Sequence, residues 1–260
     1  MSADGWYLYG VVEAPPGPLD VEPDVELVTE GPLAGVTSRV SLDEFGDTAL
    51  SERLGDAVWL EENIRRHEQV LERVLASTTV LPCRFCTVYR TEADVRRFLS
   101  ERQDQLTAAL AEVSGRVELG VKAFVDPERF AAGGAQENDQ IRELTAQTAQ
   151  AEGGRAYLES RRLERLVGDE RARFGQEAAS QLHSRLLDAA ERGVLLDLQR
   201  PELSGRDEEM VLNGAYLVSD RPGFERELAA LAAELSSRGL ELELTGPWPP
   251  YNFVSEELRG

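Results

Sequence analysis

Two cysteines, Cys83 and Cys86, bracket Arg84 and Phe85. A Cys-x-x-Cys pair can carry thiol–disulfide exchange, or it can supply half of a tetrahedral zinc site. Each chemistry needs a setting. A thiolate is stabilised at a helix N-terminus or beside a cation, and zinc needs two more ligands. Here the pair lies in a β-patterned run, residues 79–89, and the chain has no other cysteine. On a regular strand, residues three apart face opposite sides. The two sulfurs then diverge too far to bridge or to share a metal. Pro82 can introduce a bulge that alters this geometry. Packing is therefore the stronger reading of both thiols, and no catalytic, cofactor-binding or metal residue is expected.

The other candidates are few. His67 and His183 are the only histidines. His67 falls on an apolar helical stripe, with Glu68 next to it in sequence. Adjacent helical residues do not face each other, so Glu68 cannot orient the ring as in a general base. A buried histidine with one hydrogen-bond partner is the stronger reading. His183 flanks Leu182 and Leu186 and reads as a boundary residue. Arg84 stands in an otherwise apolar run and needs a partner if it is buried. It reads equally as an anchor for a carboxylate or the C-terminal tail, and as half of a structural ion pair. No Walker loop, dinucleotide fingerprint, His-Glu-x-x-His or Gly-x-Ser-x-Gly occurs.

The elements that position these residues follow from periodicity. Residues 6–12 read as a buried strand, ended by Pro15-Pro16-Gly17-Pro18. Residues 25–30 and 34–40 read as a hairpin around Gly31-Pro32-Leu33. Leu60, Ile64, His67, Leu71 and Val74 recur at spacings of 4 and 3, one face of a long helix. Thr91-Glu92-Ala93-Asp94 resembles a capping box opening a helix that runs to Val113. Val117, Leu119, Val121, Ala123 and Val125 alternate as a strand. Residues 131–154 are rich in Ala, Gly, Gln and Glu, with Ile141 and Leu144 as the large apolar anchors. Helical periodicity returns with Leu163, Leu166, Phe174, Ala178, Leu182 and Leu186. Residues 194–198 and 210–218 read as strands, and Phe224, Leu228, Leu231 and Leu235 as a helix face. Leu240, Leu242 and Leu244 alternate with Glu241 and Glu243 as a last strand, ended by Gly246 and Pro247.

These elements imply an α+β fold with two domains, because alternating strands suit sheets covered on one face. A mixed α+β sheet domain is expected over residues 1–126 and a polar linker over 127–154. A ferredoxin-like α+β domain follows over 155–246, and a proline–aromatic tail, 247–260, docks on the first domain. In that tail Pro247, Pro249 and Pro250 force an extended path. Trp248, Tyr251 and Phe253 hang from it with large areas to bury, and Asn252 lies between the last two. Nothing in the segment can transfer a proton or bind a metal, so it reads as a docking segment.

Thr245-Gly246-Pro247-Trp248-Pro249-Pro250-Tyr251-Asn252-Phe253 resembles the signature of the gas-vesicle protein F/L family. Residues 6–12, the His67-Glu68 pair, residues 80–88, residues 117–122 and Gly154-Arg155-Ala156-Tyr157-Leu158 resemble further family segments in the same order. One departure is visible: Cys86 stands where the family usually has glycine. The resemblance implies a non-catalytic accessory and minor structural protein. Such a protein binds the major hydrophobic shell protein, limits its aggregation, and supports gas-vesicle nucleation and assembly, with other gas-vesicle accessory proteins as further partners. The signature residues Arg84, Phe85 and Pro247 through Phe253 are then the docking candidates. Two other classes stay open: a thiol- or metal-dependent enzyme using Cys83, Cys86 and His67, and a small-molecule-sensing ferredoxin-like module.

Charge bears on partners. The chain of 260 residues has a formal net charge of −20. Residues 1–60 carry 12 acids against 2 bases. Such a surface repels phosphate backbones and anionic membranes, and it favours solubility. The start, Met-Ser-Ala-Asp-Gly-Trp, has no basic n-region and no apolar h-region. No run of 18 apolar residues occurs. The expected address is the cytoplasm and the gas vesicle.

Overall fold

The computed structural model of the chain describes residues 4–14, 21–199 and 208–260. The Pro15–Pro18 break lies outside the described residues. The fold is mixed α+β and has two compact units. One comprises Met1–Glu118 with Trp248–Gly260, the other Leu119–Pro247.

In the first unit, strand β1 (Asp4–Glu13) is buried along nearly its whole length. It pairs antiparallel with β3 (Leu33–Ser41), and β3 with β2 (Val25–Glu30). Glu30 lies opposite Leu33 across the two-residue loop Gly31-Pro32, where Gly31 has φ of 56°. Glycine in the first loop position at positive φ is the II′ pattern, whose twist suits a hairpin. The register of β1 shifts between Leu8 and Gly10, which leaves Tyr9 as a bulge.

The other edge of β1 departs from expectation. Residues 79–89 are not one regular strand. Leu81–Pro82 (β4) and Val88–Tyr89 (β5) each pair with β1, and a turn intervenes. Pro82 has no N–H to donate, so the ladder stops beside it, and Cys86 adopts φ of 63°. The opposite-faces argument for the two cysteines thus loses its premise.

Helices α1 (Leu42–Phe45), α2 (Asp47–Arg53) and α3 (Ala57–Ser77) follow the hairpin. The Asp56 side chain accepts from the Val58 and Trp59 amides and caps α3. This helix buries Trp59, His67, Val70, Leu71 and Val74. The expected stripe is right at its C-terminal end. At its N-terminal end it is off by one, since Ile64 is 36% exposed while Trp59 is buried. The Thr91–Asp94 capping box is fully formed. The expected single helix breaks at Arg102 into α4 (Glu92–Glu101) and α5 (Gln103–Val113).

The second unit holds most of β6 (Val117–Val125), then α6 (Pro127–Ala132), a 3-10 turn at Gly134–Glu137, and α7 (Asp139–Gln150). Next come α8 (Gly153–Asp188), β7 (Arg192–Leu195), β8 (Glu209–Val218), α9 (Arg221–Leu235) and β9 (Leu240–Trp248). The sheet order is β7-β8-β6-β9. Two expectations change here. β6 sits between β8 and β9, so it belongs to the second sheet, and the division falls at 118/119 instead of 126. Residues 127–154, expected as a linker, are largely helical, because Phe130, Ile141 and Leu144 are all buried. β9 also continues through the cis Gly246–Pro247 bond to Trp248 instead of ending at Gly246. Phe130 stacks on Phe174 at 5.3 Å, and Tyr216 packs on Phe224 at 5.4 Å. The His183 Nδ1 meets the Tyr216 hydroxyl at 3.0 Å. The face Phe224, Leu228, Leu231, Leu235 is buried as the spacing predicts.

After α9, Gly239 turns the chain with φ of 84°, and a Cβ there would lie 2.6 Å from the Phe130 amide nitrogen. Both facts demand glycine. Gly239→Ala should therefore cost about 2 kcal/mol or more, read as a lowered urea midpoint with an unchanged m-value.

Candidate functional site

The signature residues outside the tail meet at the turn between β4 and β5. The Tyr7 hydroxyl lies between two groups. It accepts from the Cys86 amide at 2.9 Å and meets His67 Nδ1 at 2.9 Å. With the amide already donating to it, the hydroxyl gives its own proton to Nδ1. His67 is then the Nε2–H tautomer. Its Nε2 is buried without a well-formed hydrogen bond. Burial lowers the imidazole from 6.5 to about 4, and the Cys83 backbone opposes that shift. The ring is neutral at pH 7, and Tyr7, Tyr9 and Phe85 surround it at 5.6–5.9 Å. Burial likewise pushes the Cys83 thiol up to about 12 and the Cys86 thiol up to about 11, the latter opposed by Tyr7. Neither is a thiolate near neutrality, and both are free. Among the described residues no group of three or more His, Cys, Asp or Glu side chains could hold a metal.

The tail meets the same turn. The Arg84 amide donates to the Arg259 carbonyl at 2.8 Å, and its guanidinium donates to the Glu256 carbonyl at 3.0 Å. Thr87 donates through its hydroxyl to the Arg84 carbonyl at 2.9 Å, which tightens the turn. Of the signature residues, Pro249, Pro250 and Phe253 are buried, Trp248 and Tyr251 are half-buried, and Pro247 and Asn252 are exposed. Tyr251 packs on the apolar cluster that contains Tyr7, Tyr9, Trp59 and Val70.

Glu118 is a residue that strand periodicity misses. Its carboxylate accepts from the Asn252 amide at 2.8 Å and from Asn252 Nδ2 at 2.6 Å. It is buried, and burial raises its pKa while the two Asn252 hydrogen bonds pull the other way. Alternation puts Glu118 on the polar side of its strand. The chain that covers it comes from 134 residues away, beyond any local pattern.

The arrangement is a polar clasp set in an apolar cluster. It holds a turn and a tail together, and its titratable groups are kept neutral or hydrogen-bonded.

Residues 5–255 match the family described as gas vesicle synthesis protein GvpL/GvpF, and the chain belongs to that family. It is 36% identical over 233 residues to gas vesicle protein L of Streptomyces sp. (strain CB03234), covering 89% of this chain and 84% of that one. It is 28% identical over 200 residues to gas vesicle protein L1 of Halobacterium salinarum, covering 73% and 69%. The fold is similar to the crystal structure of GvpF from Anabaena sp. PCC7120, with a TM-score of 0.66 at 19% identity over 97% of this chain and 96% of that one. GvpF from Microcystis aeruginosa gives a TM-score of 0.62 at 21% identity, over 96% and 99%. Family membership assigns an accessory role in gas-vesicle assembly.

Two predictions follow from the turn. A side chain at φ of 63° carries a strain of roughly 1–2 kcal/mol that glycine lacks. Cys86→Gly should keep or raise stability, by up to about 1 kcal/mol after the entropy of a free glycine is subtracted. Cys86→Val should lower it, and urea unfolding of the two variants decides. The second concerns His67, whose folded pKa lies below its unfolded value of 6.5. The unfolded chain takes up the proton first, so this stability is complete above pH 6.5 and is lost as pH falls toward 4. The loss amounts to roughly 3 kcal/mol. His67→Gln should flatten the stability profile across that window; parallel profiles for the two proteins would refute the assignment.

Proposed function

We propose that the chain is a minor structural and accessory component that binds the hydrophobic shell protein directly, limits its aggregation, and supports nucleation and growth of the vesicle. The action is non-catalytic and takes place in the cytoplasm and at the gas vesicle. The second unit is read as ferredoxin-like, an interpretation supported by the order β7-β8-β6-β9 with α8 and α9 as crossing helices. Arg84, Phe85 and Pro247 through Phe253 are assigned to docking of the tail.

One observation carries the reading. Among the described residues β7 is an edge strand, and Val194, Leu195, Leu196 and Leu198 on and beyond it are 37–56% exposed. An edge offers free backbone groups, and apolar side chains beside it invite another strand. A shell subunit awaiting assembly exposes strand-rich apolar surface and would supply one. Strand addition of this kind survives moderate salt, unlike attraction based on net charge, which fades over a screening length of about 8 Å.

Co-sedimentation with purified shell protein tests the proposal. The wild-type chain should associate with the shell protein and keep it from aggregating at near-stoichiometric ratio. Leu195→Lys with Leu198→Lys should abolish both effects while the circular dichroism spectrum stays unchanged. Absence of association by the wild-type chain, or full activity of the double variant, overturns the proposal.

A further inference from the structure

One hydroxyl proton deep in the first unit has nowhere to go. The Tyr9 hydroxyl and Ser38 Oγ lie 3.0 Å apart, on residues that are each 2% exposed. Arg66 Nε donates to the Tyr9 hydroxyl at 3.3 Å. The two hydroxyls own two protons, and the bond between them uses one. Whichever of them donates, the other proton meets no acceptor among the described residues. A buried donor left unspent costs stability and marks a place where a partner fits. Both residues line a cavity of about 160 Å³, with Tyr7, Glu44, Phe45 and Asn63. The Tyr7 hydroxyl is committed to Cys86 and His67, so Tyr7 lends the cavity only its ring.

Two acceptors on the lining residues are also unspent. Asn63 gives Nδ2 to the Trp59 carbonyl at 2.8 Å, and its Oδ1 has no donor among the described residues. Glu44 accepts from Trp59 Nε1 at 2.6 Å through Oε1, which leaves Oε2 without a donor there. The two arginines at the cavity are already paired, Arg39 with Glu26 and Arg66 with Glu22 and Asp24. No cation is left over to hold an anion. These groups restrict the chemistry of an occupant. An ammonium has no acceptor for the hydroxyl proton, and a carboxylate has no donor for Asn63 or Glu44. A neutral hydroxyl does both in one atom. Size restricts it further, since a cavity of about 150 Å³ holds one benzene.

We propose that this cavity in the first unit binds a small neutral polyol the size of glycerol or erythritol. One ligand hydroxyl accepts the spare proton of the Tyr9–Ser38 pair. Its hydroxyls donate to Asn63 Oδ1 and Glu44 Oε2. The carbon chain lies against the rings of Tyr7, Tyr9 and Phe45, where C–H groups find apolar faces. The ligand thereby ties α1, through Glu44, and α3, through Asn63, to the sheet at Ser38 of β3 and Tyr9 of β1. Binding of this kind is independent of the β7 edge, which lies in the other unit.

Saturation-transfer NMR on the full chain tests this, with glycerol, erythritol, acetamide, methylammonium and acetate titrated separately. Polyols at high concentration stabilise proteins by exclusion from their surface. That response climbs without saturating, so the readout is a signal that saturates with concentration. Glycerol or erythritol should saturate, and methylammonium and acetate should not. Ser38→Ala and Asn63→Leu should each weaken binding about tenfold while the circular dichroism spectrum stays unchanged. Asn63→Asp keeps an acceptor oxygen at that position and should retain binding. The proposal is overturned if neither polyol gives a saturable signal, or if Ser38→Ala and Asn63→Leu bind as the wild-type chain does. Saturation by acetamide, methylammonium or acetate in place of the polyols overturns it as well.

Discussion

A strand buried along its length must find partners for every backbone amide and carbonyl, because an unpaired polar group away from water costs as much as a lost hydrogen bond. β1 is such a strand, and the first unit is arranged around that demand. β3 satisfies one edge from Asp4 to Glu13, interrupted only by the bulge at Tyr9. The other edge is satisfied in pieces, by β4 at Val11 and Gly10 and by β5 at Tyr7 and Trp6. Between the pieces, the Cys83 amide donates to the Tyr9 carbonyl and the Leu8 amide to the Thr87 carbonyl, both at 2.8 Å. The chain from 81 to 89 is thereby pinned to β1 at both ends and bowed in the middle, where Cys86 takes the left-handed conformation. The bow leaves the Cys86 amide without a strand partner, and the Tyr7 hydroxyl supplies one.

That hydroxyl also explains why a polar histidine can stand in the cluster. A neutral imidazole with one good acceptor contact, ringed by aromatic faces, costs far less than a charged one at the same depth. Its surroundings contain the Tyr7 hydroxyl and the two thiols, whose own pKa values burial raises. No group near it offers or withdraws charge at pH 7. The site is built to hold shape.

Much of this was legible in the sequence. The hairpin, the capping box, the face of α9 and the α+β class follow from spacing alone, since each is set by neighbours within a few residues. The aromatic and proline content of the tail announced that it had to dock. Arg84 was expected to need a partner if buried; it is exposed, and its guanidinium donates to the Glu256 carbonyl. Three of the misses share one cause. The bowed run at 79–89, the burial of Glu118 and the place of β6 in the second sheet are imposed by segments far away along the chain. Periodicity registers which face is apolar; it does not register what a distant segment later covers. The helices at 127–150 were obscured by small and polar residues, among which a few anchors such as Phe130 and Ile141 suffice to bury one side.

The first unit is discontinuous in sequence, because Trp248–Gly260 belongs to it while everything from Leu119 to Pro247 belongs to the other. During synthesis the N-terminal portion emerges early, yet the residues that cover Glu118 and cap the Arg84 turn emerge only after the whole of Leu119–Pro247. Domains generally fold as units in order of emergence. Here the whole second unit leaves the ribosome before the first can be sealed. Until then the apolar ground beneath Pro250, Tyr251 and Phe253 stands open, and a carboxylate waits for its amide. A chain released before residue 248 therefore exposes that ground, and synthesis through residues 248–259 closes it.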